Sequence, residues 1–171
     1  MNNNSIFQFS QEHTDGDASL TDLLGGKGAN LAEMSKMGIQ VPPGFTITTE
    51  VCNYFMEHAK LPDTLEKEIK VAVEKLEQYS GKQFGGEGTP LLLSVRSGGK
   101  VSMPGMMDTV LNLGLNEETV KALIDLTGNE RFVMDSYRRF IQMFGDVVLG
   151  LEHHDFEHEL DAVKKAKKVA N

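Results

Sequence analysis

The sequence predicts an α+β fold in which helices pack on a small mixed sheet, and three observations carry that expectation. Apolar residues recur at helical spacing from Leu65 to Leu76 and again from Phe132 to Val148. Two short runs, FTITT from Phe45 and LLLSV from Leu91, have the β-branched and apolar content of strands and are flanked by glycine, proline and polar residues. No internal repeat or low-complexity tract interrupts them, and many helices set among few strands suggest a mixed lobe over a bundle.

The elements follow in order. In LLGGKGANLAEMSKMG, a glycine turn at Gly25, Gly26 and Gly28 opens a short helix whose apolar positions are Leu31, Met34 and Met37, ended by Gly38. Pro42-Pro43-Gly44 turns the chain into the FTITT strand, and Thr49 is expected to cap the helix VCNYFMEHA. Asp63 and Glu66 have capping-box spacing, and Leu65, Ile69, Ala72, Val73 and Leu76 form one apolar face running to Gly81. After the loose KQFGGEGT segment, LLLSV reads as a strand covered on both faces. Asn116 is expected to cap NEETVKALIDLTG. The next helix carries a wide stripe of Phe132, Val133, Tyr137, Phe140, Ile141, Phe144 and Val148, and a last amphipathic piece carries Phe156, Leu160 and Val163. The ending AKKVAN stops within a helical pattern without a cap, which reads as a truncated chain.

Composition bounds the function. The 171 residues include one cysteine and carry a net charge of −8, which excludes an internal disulfide and argues against broad binding to a phosphate backbone. Cys52, within an apolar helix, reads as core filler. The basic run from Lys164 to Lys168 suits the C-terminal end of a solvated helix. No signal pattern opens the chain and no apolar run nears the ~20 residues of a membrane span, so neither nucleic acid nor membrane is an expected partner, and the cytoplasm is the expected location. Length allows one core or two small lobes.

The chemistry concentrates in VRSGGKVSMPGMMDTVLNLGL, from Val95 to Leu115. A strand ending in a glycine-rich loop turns backbone N–H groups towards one point, where they cradle phosphate oxygens. Arg96 adds a permanently charged fork at the strand end, Lys100 a second cation, and Gly98, Gly99 and Gly105 allow close backbone approach. Ser102 and Thr109 add hydroxyls, and Met103, Met106 and Met107 either cover a base or pack. A surface loop with turn residues would have the same composition. Neither Lys100 nor Lys27 completes G-x-x-x-x-G-K-[ST], because Ser94 and Thr21 stand where the first glycine belongs. His153, His154, Asp155 and His158 have a metal-like clustering without a fourth ligand, and solvated helix polarity is the better reading.

The strings GGKGANLAEMSKMGIQVPPGFTITTE, LLLSVRSGGKVSMPGMMDTVLNLGLN and RFVMDSYRRFIQMFGDVV closely resemble the N-terminal region of the pyruvate, phosphate dikinase family. The resemblance runs from about Leu23 to Val148 and implies the first lobe of an ATP-grasp nucleotide-binding domain at residues 23–150, after a leader at 1–22 and before a helical segment at 151–171. By that likeness Lys27 and Arg96 would be catalytic and hold ATP phosphates. Gly98, Gly99, Lys100, Ser102, Met103 and Gly105 would line the polyphosphate, and Arg139 would add a cation, although helical spacing alone does not choose between Arg138 and Arg139.

The family converts ATP, phosphate and pyruvate to AMP, pyrophosphate and phosphoenolpyruvate through a histidine on a swivelling domain. ATP and Mg²⁺ are therefore the implied cofactors, with the metal ligands in another part of the parent protein. The swivelling domain and a pyruvate-binding barrel are implied partners in the parent chain, and a homodimer is compatible. None of His13, His58, His153, His154 or His158 sits in a Gly-Thr-Ser-His context, so the chain alone is expected to be inactive. Gly99-Lys100 stands where the family is expected to have Ala-Arg, and lysine loses the planar fork. Phosphoenolpyruvate synthase, which shares the GGK and VRS elements, and a non-catalytic nucleotide-binding domain are the alternatives.

Overall fold

A computed structural model describes residues 4–86, 88–98 and 109–168. These divide into two compact units, one of residues 4–84 with 97–98 and the other of residues 85–86, 88–96 and 109–168.

In the first unit, β1 (Ile6–Phe9) runs antiparallel to β2 (Gly44–Ile47), with Phe7 opposite Thr46. Three helices accompany this ribbon: α1 (Thr21–Lys36), α2 (Thr49–His58) and α3 (Leu65–Ser80). Ile6, Val51, Leu65 and Ala72 form the buried core, with Phe45 and Ile69 against it. The apolar face of α3 is therefore the one its spacing predicts, and the helix stops at Gly81 as expected.

The expected face of α1 is corrected. Leu24, Gly28, Ala29, Ala32 and Ser35 are buried, whereas Leu31 is half-buried and Met34 and Met37 are exposed. The reason is distance: a Cβ on Gly28 would lie 2.7 Å from Thr46 Cγ2 and 2.8 Å from its Oγ1. Only a face of small residues lets the helix backbone come that near the strand, and methionines there would hold it off.

In the second unit, β3 (Leu93–Arg96) pairs antiparallel with β4 (Thr109–Leu113), with Arg96 opposite Thr109. The register slips between Leu93 and Val95, and Asn112 on β4 takes a left-handed φ of 58°. Asparagine tolerates that conformation better than most residues, as a bulge requires. Helices α4 (Glu117–Thr127), α5 (Glu130–Val147) and α6 (His153–Lys167) complete the unit. Its core is Leu115, Val120 and Val133, the last 1% exposed, with Leu92, Leu123, Ile124, Tyr137 and Phe140 packed around it.

Several local expectations are corrected. The described strands form two separate two-stranded antiparallel sheets in place of one mixed sheet. The LLLSV run is not covered on both faces: Leu91 is buried, but Ser94, Val95 and Arg96 are exposed, since β4 is the strand's one partner among the described residues. Thr49 does not cap α2; Thr48 holds the cap position without a side-chain bond, and the Thr49 hydroxyl donates to the Asp22 carbonyl at 2.7 Å. The Asp63–Glu66 capping box is absent, because Thr64 is the N-cap of α3 and Glu66 pairs with Lys70 at 2.7 Å. Cys52 is exposed. Strand β1 falls within the segment 1–22 and α6 within 151–171, so both carry regular structure.

Asn116 does cap α4. Its Oδ1 accepts from the Glu118 and Thr119 amides, its own N–H donates to Thr119 Oγ1 at 2.7 Å, and its Nδ2 donates to the Gly85 carbonyl at 3.0 Å. An Asn116→Ala change should therefore cost about 1–2 kcal/mol in urea unfolding, while Thr64→Ala, which removes no side-chain cap bond, should cost clearly less.

Candidate functional site

Lys27 owes its place to two glycines. At Gly25 (φ 69°, ψ 165°) the backbone leaves helical geometry, and α1 restarts at Gly26; a side chain in that region of φ/ψ is strained by about 1–3 kcal/mol. Gly28 then seats the restarted helix against Thr46. Between them Lys27 is half-buried, and its Nζ donates to the Ser97 carbonyl across 3.5 Å. The first unit thus joins the start of this helix to the first residue after β3.

Gly98 is exposed, and a Cβ there would meet nothing within 4 Å. Gly99, Lys100, Ser102, Met103 and Gly105 lie outside the described residues, as do Met106 and Met107. Arg96, in the second unit, ends β3 with its side chain exposed.

The two α5 arginines share one carboxylate. Arg138 donates from Nη2 to Asp135 Oδ1 at 2.8 Å and from Nε to the same oxygen at 3.1 Å, and its Nη1 reaches Gln142 Oε1 at 3.1 Å. Arg139 donates from Nε to Asp135 Oδ2 at 2.8 Å and is 73% exposed, against 39% for Arg138. The hydrogen bonds from Arg138, then Arg139, hold the Asp135 carboxyl below the usual carboxylate range. Sequence reading missed this clamp, although Asp135 stands three and four residues before the arginines, the spacing of helical ion pairs. The Ser97 carbonyl had no sequence signal, because it is a backbone group brought to Lys27 by the fold.

On α6, His153 Nδ1 lies 3.3 Å from Asp146 Oδ2 and its Nε2 3.5 Å from Glu157 Oε1. Among the described residues no group of three or more His, Cys, Asp or Glu side chains is arranged to hold a metal ion, and no helix is long and apolar enough to cross a membrane.

The sequence model of the family described as "Pyruvate phosphate dikinase, AMP/ATP-binding domain" matches residues 21–80 and 56–165. The chain belongs to this family. Pyruvate, phosphate dikinase of Giardia intestinalis is 58% identical over 142 residues, covering 83% of this chain and 16% of that protein. The Rhizobium meliloti enzyme of the same name is 51% identical over 160 residues, 93% of this chain and 18% of that protein. The chloroplastic one of Mesembryanthemum crystallinum is 52% identical over 165 residues, 96% of this chain and 17% of that protein. The chain spans about a sixth of the length of these dikinases. The matched segments include Lys27, Arg96, residues 98–105 and Arg139.

Two outcomes follow from the geometry. Gly25→Ala should lower the melting temperature and shift the Lys27 amide resonance. Because the folded Asp135 value lies below the unfolded one of about 3.9, its ion pairs stabilise the chain above that pH, and the contribution is lost as pH falls through the folded value. Asp135→Asn should therefore melt lower than the parent at pH 7, and the difference should close below about pH 4.

Proposed function

We propose that this chain supplies one side of an ATP phosphate grip in a dikinase that makes AMP, pyrophosphate and phosphoenolpyruvate from ATP, phosphate and pyruvate. Lys27 and Arg96 are the two catalytic cations, and the Gly98 to Gly105 loop, with Gly99, Lys100, Ser102 and Met103, covers the polyphosphate. The observation that carries this reading is the Lys27 Nζ to Ser97 carbonyl contact, which sets the GGKG helix start beside the beginning of the glycine loop. Amides and ammonium groups held close together are what a polyphosphate needs.

Phosphoryl transfer is accelerated chiefly by positioning and by neutralising charge on the transferring group, so Lys27 and Arg96 act as positioned cations. Arg139 is the α5 cation of choice: among the described residues only its Nε is engaged, which leaves both Nη groups as donors, whereas Arg138 spends Nε, Nη1 and Nη2 within its own helix.

The ATP-grasp architecture and a cytoplasmic location belong to the same reading. Mg²⁺ accompanying ATP would take its protein ligands outside the described residues, among which no group of three or more His, Cys, Asp or Glu side chains could hold a metal ion. The phosphohistidine carrier and the pyruvate site belong to other parts of a dikinase, so the isolated 171-residue chain should form no AMP in a pyruvate-dependent manner.

A chimera tests the proposal. Replacing the aligned stretch of the Giardia intestinalis relative with this chain should preserve pyruvate-dependent AMP formation. In that chimera Lys27→Met and Arg96→Ala should each lower kcat/KM by about 10²–10³-fold with little change in melting temperature. Unchanged kinetics in either variant would remove that residue from the grip.

A further inference from the structure

One short stretch of backbone holds α1 on both sides of the break at Gly25. After the break, Gly28 is seated against Thr46 of β2, where an added Cβ would lie 2.7 Å from the Thr46 Cγ2. Before the break, the Thr49 hydroxyl donates to the Asp22 carbonyl at 2.7 Å. Thr46 and Thr49 are three residues apart, and the backbone between them is fixed. Ile47 pairs with Ile6 in the ribbon, and the Thr48 N–H donates to the Ser5 carbonyl at 3.0 Å.

The Thr49 bond answers a need that the break creates. In an uninterrupted α-helix the Asp22 carbonyl would accept from the Gly26 N–H, through a ring that contains residue 25. Gly25 has φ 69° and ψ 165°, so that ring departs from helical geometry. A hydroxyl at the start of a helix commonly serves its own helix. Thr49 instead spends its hydroxyl on α1, at the point where helical pairing is interrupted. Lys27 stands two residues past the break, and its Nζ reaches the Ser97 carbonyl across 3.5 Å. That is long for a hydrogen bond, so a small displacement of the helix start would end it.

We propose that Thr49 is a positioning residue for Lys27: its hydroxyl holds the first turn of α1 to the start of α2 and so fixes where the Lys27 ammonium sits. The inference rests on the reading of Lys27 as a phosphate cation. Thr49 acts through Lys27 alone.

A double-mutant cycle in the chimera with the Giardia intestinalis relative tests this. Thr49→Val, which keeps the shape and removes the donor, should lower kcat/KM for ATP about tenfold. Thr49→Ser, which keeps the hydroxyl, should stay within about twofold of the parent chimera. In the Lys27→Met background Thr49→Val should have no further effect, because the group it positions is gone. A general loosening of the fold would lower activity in both backgrounds. In the 171-residue chain, Thr49→Val should shift the Lys27 and Ser97 amide resonances and leave those of α3 in place. Unmoved Lys27 and Ser97 amides overturn the proposal, as does a full Thr49→Val effect in the Lys27→Met background or a Thr49→Ser variant as slow as Thr49→Val. A slow Lys27→Met beside an unaffected Thr49→Val ends this proposal alone, whereas unchanged kinetics in Lys27→Met end the phosphate-cation reading and this proposal with it.

Discussion

The approach of α1 to β2 at Gly28 and Thr46 is the constraint from which the first unit follows. A helix this close to a strand has to present small residues, so Gly28, Ala29, Ala32 and Ser35 are buried and Met34 and Met37 are exposed. The same closeness requires the chain to enter the helix at a particular angle, which the break at Gly25 provides. Lys27 lies between those two glycines and has little freedom of position. Its reach to the Ser97 carbonyl is therefore a consequence of backbone packing. Had a Cβ stood at residue 28, the lysine would be displaced with the helix that carries it.

What was legible in the sequence was whatever depends on neighbours along the chain. The α3 stripe of Leu65, Ile69, Ala72 and Leu76 is set by helical period alone, and so is the Asn116 cap, whose partners are two and three residues away. Local signals fail where another partner competes for the same group. Thr49 gives its hydroxyl to Asp22 on another helix, and Glu66 finds Lys70 one turn on instead of returning to a cap. The buried face of α1 was misread because apolar spacing weighs methionine above alanine and glycine, whereas a close backbone contact reverses that order. The number and pairing of strands depend on residues far apart in sequence, and neither Phe45 nor Leu91 announces its partner.

The candidate site divides the same way. Charge and glycine pick out Lys27 and Arg96, since few residue types can meet a phosphate, whereas Arg139 is implied by the family resemblance alone. The groups that aim and occupy them were not legible, because one is a main-chain carbonyl and the other a carboxylate whose spacing is common on any exposed helix.

The Asp135 clamp bears on which α5 arginine the proposed grip would use, a choice that spacing left open. Both arginines lie within reach of one carboxylate, and two positive charges against one negative leave a net positive charge of one on that turn of α5. Which side chain carries it outward depends on the donors left over. Arg138 has Nε and Nη2 on Asp135 and Nη1 on Gln142, so releasing it to a phosphate would break three hydrogen bonds. Among the described residues Arg139 is held by Nε alone, and its more exposed guanidinium keeps a two-pronged end of the kind that binds phosphate oxygens in parallel. Asp135 then restricts the rotamers of Arg139 without blocking its fork, so less side-chain entropy is lost when an anion arrives. In the proposed grip, a carboxylate beside the arginine would ordinarily oppose the anion. Here the second arginine offsets that repulsion, which is a physical reason for the Arg138-Arg139 pair to stand together.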